Sequence, residues 1–309
     1  MPDVEMPMNS MTRPFFAVLL LFCARLACAQ QMAITFDDLP VHGAMPSGMS
    51  RLEITQSILA TLRREKMPPV YGFINGKKVQ DDPSTLAALQ AWRAAGQPLG
   101  NHTWAHLDLG KETPEEFAAE VSKNEPLLQT LMGKGDWHWF RYPFLREGDT
   151  LEKRRAVRAW LFAHGYKIAQ VNMDFEDYLW NEPYARCFDK HDEASIQKLH
   201  DSYLAVAGQY FGVFRQSSQM VYGRDVKYVL LMHVGAFDAR MLPELLALYR
   251  GKGVRFITLQ DAMSDPSYQD DPDIGDATGG AFLELMLEKK NLKFPGNSKP
   301  YKELAAMCR

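Results

Sequence analysis

Hydrophobic and polar positions along the chain alternate between short apolar runs and longer stretches with helical spacing. The run from Met32 to Pro40 reads Met-Ala-Ile-Thr-Phe-Asp-Asp-Leu-Pro. It predicts a buried strand that Pro40 ends and that closes on two adjacent carboxylates, Asp37 and Asp38. Ser50 followed by Glu53 makes a capping box for a helix through about Lys66, with Leu52, Ile58, Leu59 and Leu62 facing inward. Val70 to Ile74 is a second strand. Asp82-Pro83 opens a helix that Gly96 closes, and a short strand covers Pro98 to Asn101. Thr113-Pro114-Glu115-Glu116 starts another helix, which Pro126 is expected to kink or divide. A strand from Trp137 to Phe140, a helix from about Thr150 to His164 and a strand from Lys167 to Met173 follow. Tyr178 to Arg224 interrupts this rhythm with one amphipathic helix, around Ala194 to Phe211. Val226 to Met232 is the clearest strand and stops at His233. A helix through Arg250 and a strand from Val254 to Leu259 complete the series. Beyond Asp265 the chain turns polar and rich in Gly and Pro. A loop, a helix near Phe282 to Lys290 and a terminal segment packed on the outside are expected there.

About seven strand–helix alternations mean parallel strands covered by helices, an α/β protein. An open doubly wound sheet and a closed barrel both satisfy that pattern. No Gly-rich phosphate loop follows the first strand, so a nucleotide-binding fold lacks its signature. Asp37, Asp38, His102, Arg141, Asp174 and His233 all fall at or just past predicted strand ends. Barrels collect their catalytic residues at that place.

The 309 residues, 46% hydrophobic, suffice for one large domain or two small ones. A net charge of -3 without a long basic run argues against nucleic acid as the main partner. Arg13 precedes the apolar run Phe15 to Phe22, and Ala27-Cys28-Ala29 offers a cleavage site, the plan of a secretory signal peptide over residues 1–29. The apolar run is too short for a comfortable membrane span. Asp3 and Glu5 stand where positive charge is expected, which points to Met8 or Met11 as the start of translation. Arg25 weakens a lipoprotein reading through Cys28. The expected destination is the periplasm or the cell exterior, with no stable membrane span after cleavage. Cys23 and Cys28 then leave with the signal, and Cys187 and Cys308 remain as candidates for a disulfide in an oxidising compartment.

His102 and His106 have the i, i+4 spacing that puts two imidazoles on one face of a helical turn. With Asp38 they form a His-His-carboxylate set that leaves a coordination position open, as in catalytic metal sites. Arg141 could hold Asp37 ionised and oriented. His233 emerges from Leu230-Leu231-Met232, and Asp174 could orient it as carboxylates orient catalytic histidines. Each of these residues taken alone has a plainer structural reading. Their arrival together at strand ends is what favours chemistry.

Thr35-Phe36-Asp37-Asp38, His102-Thr103-Trp104-Ala105-His106, Arg141-Tyr142-Pro143-Phe144, Asp174-Phe175-Glu176-Asp177-Tyr178 and Leu231-Met232-His233 stand in this order along the chain. In that order they resemble the motifs of the NodB-type polysaccharide deacetylases, carbohydrate esterase family four. The resemblance covers about Met32 to Asp261 and implies a distorted (β/α)7 barrel. It divides the chain into a catalytic domain over 30–264, with a helical insertion at about 179–224, and a C-terminal extension over 265–309. It implies hydrolysis of N-acetyl, or O-acetyl, groups of an acetylated glycan with a divalent metal, Zn2+ first and Co2+ or Ni2+ as substitutes. Asp37 would be the base, Arg141 its tether, His233 the acid tuned by Asp174, and Asp38, His102 and His106 the metal ligands. Phe144, Tyr178 and Leu231 would line the substrate pocket. Phe144 and Tyr178 depart from the family's Tyr and Trp, and the second change bears on substrate preference. A small amide or ester as substrate, and a glycan-binding barrel without activity, are the alternatives.

Overall fold

The computed structural model describes Pro2 and residues 30–297 and 299–309. The signal-peptide reading and Cys23 and Cys28 lie outside the described residues. In chain order the elements are β1 (Gln30–Leu39), α1 (Arg51–Arg64), β2 (Tyr71–Ile74), α2 (Gly76–Asp81), α3 (Leu86–Ala94), β3 (Leu99–Asn101), α4 (Pro114–Met132), β4 (Trp139–Phe140) and α5 (Leu151–Ala163). They continue with β5 (Lys167–Ile168), α6 (Asn181–Asp189), α7 (Glu193–Tyr222), β6 (Tyr228–His233), α8 (Ala236–Gly251), β7 (Val254–Phe256), α9 (Leu259–Met263), α10 (Phe282–Lys289) and α11 (Tyr301–Ala306).

All strand pairings are parallel, in the order β5-β4-β3-β2-β1-β6, with β7 also on β1. The ten-residue β1 serves three neighbours. Its start pairs with β7, its end with β2, and Met32 to Asp37 pair with β6 along the other edge. The sheet curls into a distorted (β/α) barrel. The expected strand from Lys167 to Met173 is split. Lys167 and Ile168 pair with β4, the chain then crosses, and Met173 bridges Leu230 of β6. Between the two, the Phe282 N–H donates to the Val171 carbonyl, so the C-terminal segment fills the seam.

Helices form where sequence and burial agree. Both capping boxes, Ser50 with Glu53 and Thr113 with Glu116, are made. Pro126 does not divide α4, which runs through it for 19 residues. Pro126 and Ser122 are exposed, so the carbonyl left without a helical donor faces water, while Phe117, Val121, Leu128 and Met132 bind the helix to the core. The segment expected to hold one helix holds two, and α7 runs 30 residues rather than stopping near Phe211. Gly212, Ser217 and Ser218 are poor helix formers. Packing of Val221 on Phe282, Met286 and Leu287 carries the helix onward, an override that local propensity does not show. Ile196, Leu199, Tyr203, Phe211 and Phe214 belong to the main core, so this segment is one layer of the barrel wall. Cys187 of α6 is bonded to Cys308 near the chain end. No helix among the described residues is long and apolar enough to cross a membrane.

Candidate active site

Asp37 sits in register with His233 across two neighbouring parallel strands, so both arrive at the carboxyl end of the barrel. A regular strand would send Asp38 to the opposite face. Instead Asp38 takes φ 66°, and the β1–β2 register shifts between Phe36 and Leu39. That break in alternation lets both carboxylates border one cavity of about 340 Å³. His102, His106, Phe144, Asp174, Tyr178, Leu231 and His233 border the same cavity. Arg141 lies behind it.

Arg141 is fully buried and spends its donors on fixed acceptors. Nη1 reaches both oxygens of Asp37 at 3.1 Å, Nη2 reaches Thr35 Oγ1 at 3.1 Å, and Nε reaches the Ala169 carbonyl at 2.7 Å. Burial raises Asp37 from its ordinary value to about 6, against the pull of Arg141 and His233. Burial also opposes ionisation of Asp38, but Lys78, His106 and His102 outweigh it and hold that carboxyl well below its ordinary range.

His102 and His106 are not on a helix. They occupy an irregular turn after β3 in which Thr103 and His106 have φ 63° and 58°. The turn is held by amides: Asn75 Nδ2 donates to the carbonyls of His102 and Thr103 at 2.6 and 3.1 Å, and Asn124 Nδ2 to Asn101 Oδ1 at 3.0 Å. Gly76 makes room for it, since a Cβ there would lie 2.3 Å from the Trp104 ring. His102 Nδ1 is 2.8 Å from the Arg141 carbonyl, which can only accept, so Nδ1 carries the proton and Nε2 offers its lone pair. His102 Nε2 and His106 Nε2 lie 3.7 and 3.3 Å from Asp38 Oδ1. That oxygen is buried without a hydrogen-bond partner. A carboxylate oxygen that makes no hydrogen bond and faces two imidazole nitrogens fits a divalent cation. Burial lowers both histidines, keeping them in the neutral form that a ligand needs.

His233 corrects one expectation. Its Nδ1 donates to Asp177 Oδ1 at 2.7 Å, and its backbone N–H to Asp177 Oδ2 at 2.7 Å. Asp174 is not its partner. Glu176 takes φ 60°, which turns the chain so that Asp177 reaches β6. Asp174 is left accepting the Glu176 N–H at 2.7 Å, with Lys299 as its main stabilising charge. Burial would lower His233, but Asp177, with Asp38 and Asp37, overcomes it and raises the imidazole to about 10.

Three contributors escaped the sequence reading. Lys78 Nζ lies 3.3 Å from Asp38 Oδ1, and no local pattern announces it. His42 Nε2 lies 3.6 Å from Asp38 Oδ2. Its i, i+4 relation to Asp38 is the same kind of signal that singled out His102 and His106. The C-terminal segment is not merely packed outside: Thr278 to Ala281, Glu284 and Lys299 form one wall of the cavity.

Fold and site together define a class: a distorted (β/α) barrel with a carboxylate–histidine centre at the carboxyl ends of its strands. The polysaccharide deacetylase family model matches residues 27–161. Among curated proteins, the peptidoglycan-N-acetylglucosamine deacetylase of Bacillus cereus is 26% identical over 48% of this chain and 46% of its own length. The chain thus spans about half of that relative. The chitin deacetylase of Colletotrichum lindemuthianum is 23% identical over 78% of this chain and 83% of that protein. The solved structure of a chitin deacetylase from that fungus superposes with a TM-score of 0.54 at 20% identity, covering 77% of this chain and 88% of the other. A polysaccharide deacetylase structure from Bacillus cereus gives 0.51 at 20%, covering 74% and 91%. The family model thus matches under half of the chain, which over that stretch is similar to the polysaccharide deacetylases, and the solved deacetylase structures share its fold.

Proposed function

We propose that this protein hydrolyses acetyl groups from an acetylated glycan, using a divalent cation held by Asp38, His102 and His106. One observation carries the reading. Asp37 gripped by Arg141 and His233 gripped by Asp177 border the same cavity as a buried Asp38 oxygen that makes no hydrogen bond and faces His102 and His106 as well as Lys78. Two imidazoles and a carboxylate suit zinc, and cobalt or nickel fit the same donors. The cation, when bound, would polarise the acetyl carbonyl and lower the pKa of water to about 7. Asp37, at about 6, is ionised at neutral pH and would accept the proton of the attacking water while Arg141 keeps it aligned. His233 is protonated there and would hand its proton to the departing amine or alcohol, with Asp177 holding the ring in place. The Phe144 N–H would donate to the carbonyl oxygen as charge builds on it. Tyr178 and Leu231 would wall the acetyl methyl.

The names of the relatives favour a glycan built on N-acetylglucosamine. The apolar N-terminal run and the Cys187–Cys308 bond favour work outside the cytoplasm. The working unit would be residues 30–264, with 179–224 inserted, completed by the extension 265–309, whose residues border the cavity. The test is acetate release by the full chain from chitin oligomers, peptidoglycan and acetylated xylan. Release from at least one, abolished by chelation and restored by Zn2+ or Co2+, is expected. Cleavage of small aryl acetates or amides alone, or release indifferent to chelation, would overturn the reading.

A further inference from the structure

We propose that the protein holds a second divalent-cation site, formed by Asp38 Oδ2, His42 and His233, which shares Asp38 with the first. The two sets share Asp38 but differ in their imidazoles. Ligand atoms of Asp38, His102 and His106 all lie within 4.8 Å of one another, and so do those of Asp38, His42 and His233. His42 meets that limit with the second set only, so it is not a fourth ligand of the first. Asp38 turns one oxygen to each: Oδ1 toward His106 and His102, and Oδ2 toward His42 Nε2 at 3.6 Å. A carboxylate placed in this way could serve two cations, one through each oxygen.

The second set is built rather than accidental. The loop carrying His42 is clamped by two cations: Lys78 Nζ binds the Val41 and Asp38 carbonyls at 2.8 and 3.2 Å, and Arg51 binds the His42 and Gly43 carbonyls at 2.9 and 2.8 Å. This brings the His42 ring to 4.4 Å from that of His233, with His42 Nδ1 buried and lacking a hydrogen-bond partner. His233 donates its Nδ1–H to Asp177, the carboxylate–histidine arrangement that accompanies metal-binding imidazoles, and a cation would bind its Nε2 by displacing the proton that nitrogen carries. Two imidazoles and one carboxylate select Zn2+, Co2+ or Ni2+ over Mg2+ or Ca2+. Repulsion from the first cation makes the second site the weaker. Its occupant takes the Nε2 of His233, so filling it stops turnover. That last consequence alone rests on the acid role proposed for His233.

The experiment is metal titration of the full chain by calorimetry, with the metal content counted after dialysis against Zn2+ or Co2+. The wild type should take two equivalents in a tight and a weak step. His42→Ala and the bulkier His42→Gln should each take one, keeping the tight step, while His102→Ala should lose it. Acetate release by the wild type should rise and then fall with added Zn2+. In the His42 variants the fall should move at least ~10-fold higher in concentration. A single equivalent in the wild type, lost in His102→Ala, overturns the second site and leaves the proposed function standing. Two equivalents retained in both His42 variants overturn it as well, and no bound metal at all overturns both readings.

Discussion

Asp37 and Asp38 are chain neighbours whose carboxyls are driven in opposite directions. Burial raises the first to about 6, and Lys78, with the imidazoles around it, holds the second far below its ordinary range. The difference comes from partners: Asp37 has one guanidinium within a closed wall, whereas Asp38 faces Lys78 and three imidazoles. The same logic separates Asp177 from Asp174. Only Asp177 contacts His233, so Asp177→Asn should lower kcat on an N-acetylated oligomer by ~100-fold or more. Asp174→Asn should change it only a few-fold, and on an aryl acetate, whose leaving group needs no proton, the Asp177→Asn loss should shrink. Steady-state kinetics of the two variants decide this, and the reverse ranking would return the role to Asp174.

At the scale of elements, the caps were legible because they are local: Ser50 with Glu53 and Thr113 with Glu116 satisfy helix donors within four residues. The His102–His106 turn was misread because spacing of four is shared by a helix and by a turn held from outside. A third junction, between α7, β6 and the C-terminal segment, turns on Asp265. Its oxygens accept from Arg224 at 2.6 and 3.0 Å, from the Lys227 N–H at 3.0 Å and from the Ser267 N–H at 2.9 Å. Burial would raise its pKa, but these bonds hold it below the ordinary 3.8. A depressed carboxylate stabilises the fold above its unfolded pKa and loses that contribution as pH falls through the folded value. Asp265→Asn should therefore cost about 2 kcal/mol at pH 7, and the difference from wild type should narrow steadily below about pH 4. Chemical denaturation across that range measures it. A gap that stays constant into acid would mean the charge of Asp265 is not what matters.

At the scale of the whole molecule, the C-terminal segment is tied back at both ends. Arg155 pairs with Asp273, Arg146 donates to the Thr278 carbonyl, and Arg186 binds the Leu304 and Met307 carbonyls beside the Cys187–Cys308 bond. Between these ties it seals the seam of the barrel at Val171 and walls the cavity. The bond closes a loop of 121 residues, for which the chain-entropy model gives about 4–5 kcal/mol, with measured values often lower. Replacing both cysteines with Ala should lower the unfolding midpoint and reduce acetate release, and reductant should do the same to the wild type but nothing to the variant. Equal stability of wild type and variant under oxidising conditions would show that the bond does not hold the segment.

What the sequence by itself determined is everything carried by period and by neighbours in the chain. It set the alternation of strands and helices, the caps, and the arrival of Asp37, Asp38, His102, Arg141 and His233 at strand ends. Tertiary structure alone decided which side chains meet. A positive φ at Asp38 and another at Glu176 re-aim the carboxylates that follow the strands, Lys78 and His42 come in from other turns, and the C-terminal segment returns to close the cavity. Those choices rest on contacts between residues far apart in the chain, where packing and charge outweigh local preference.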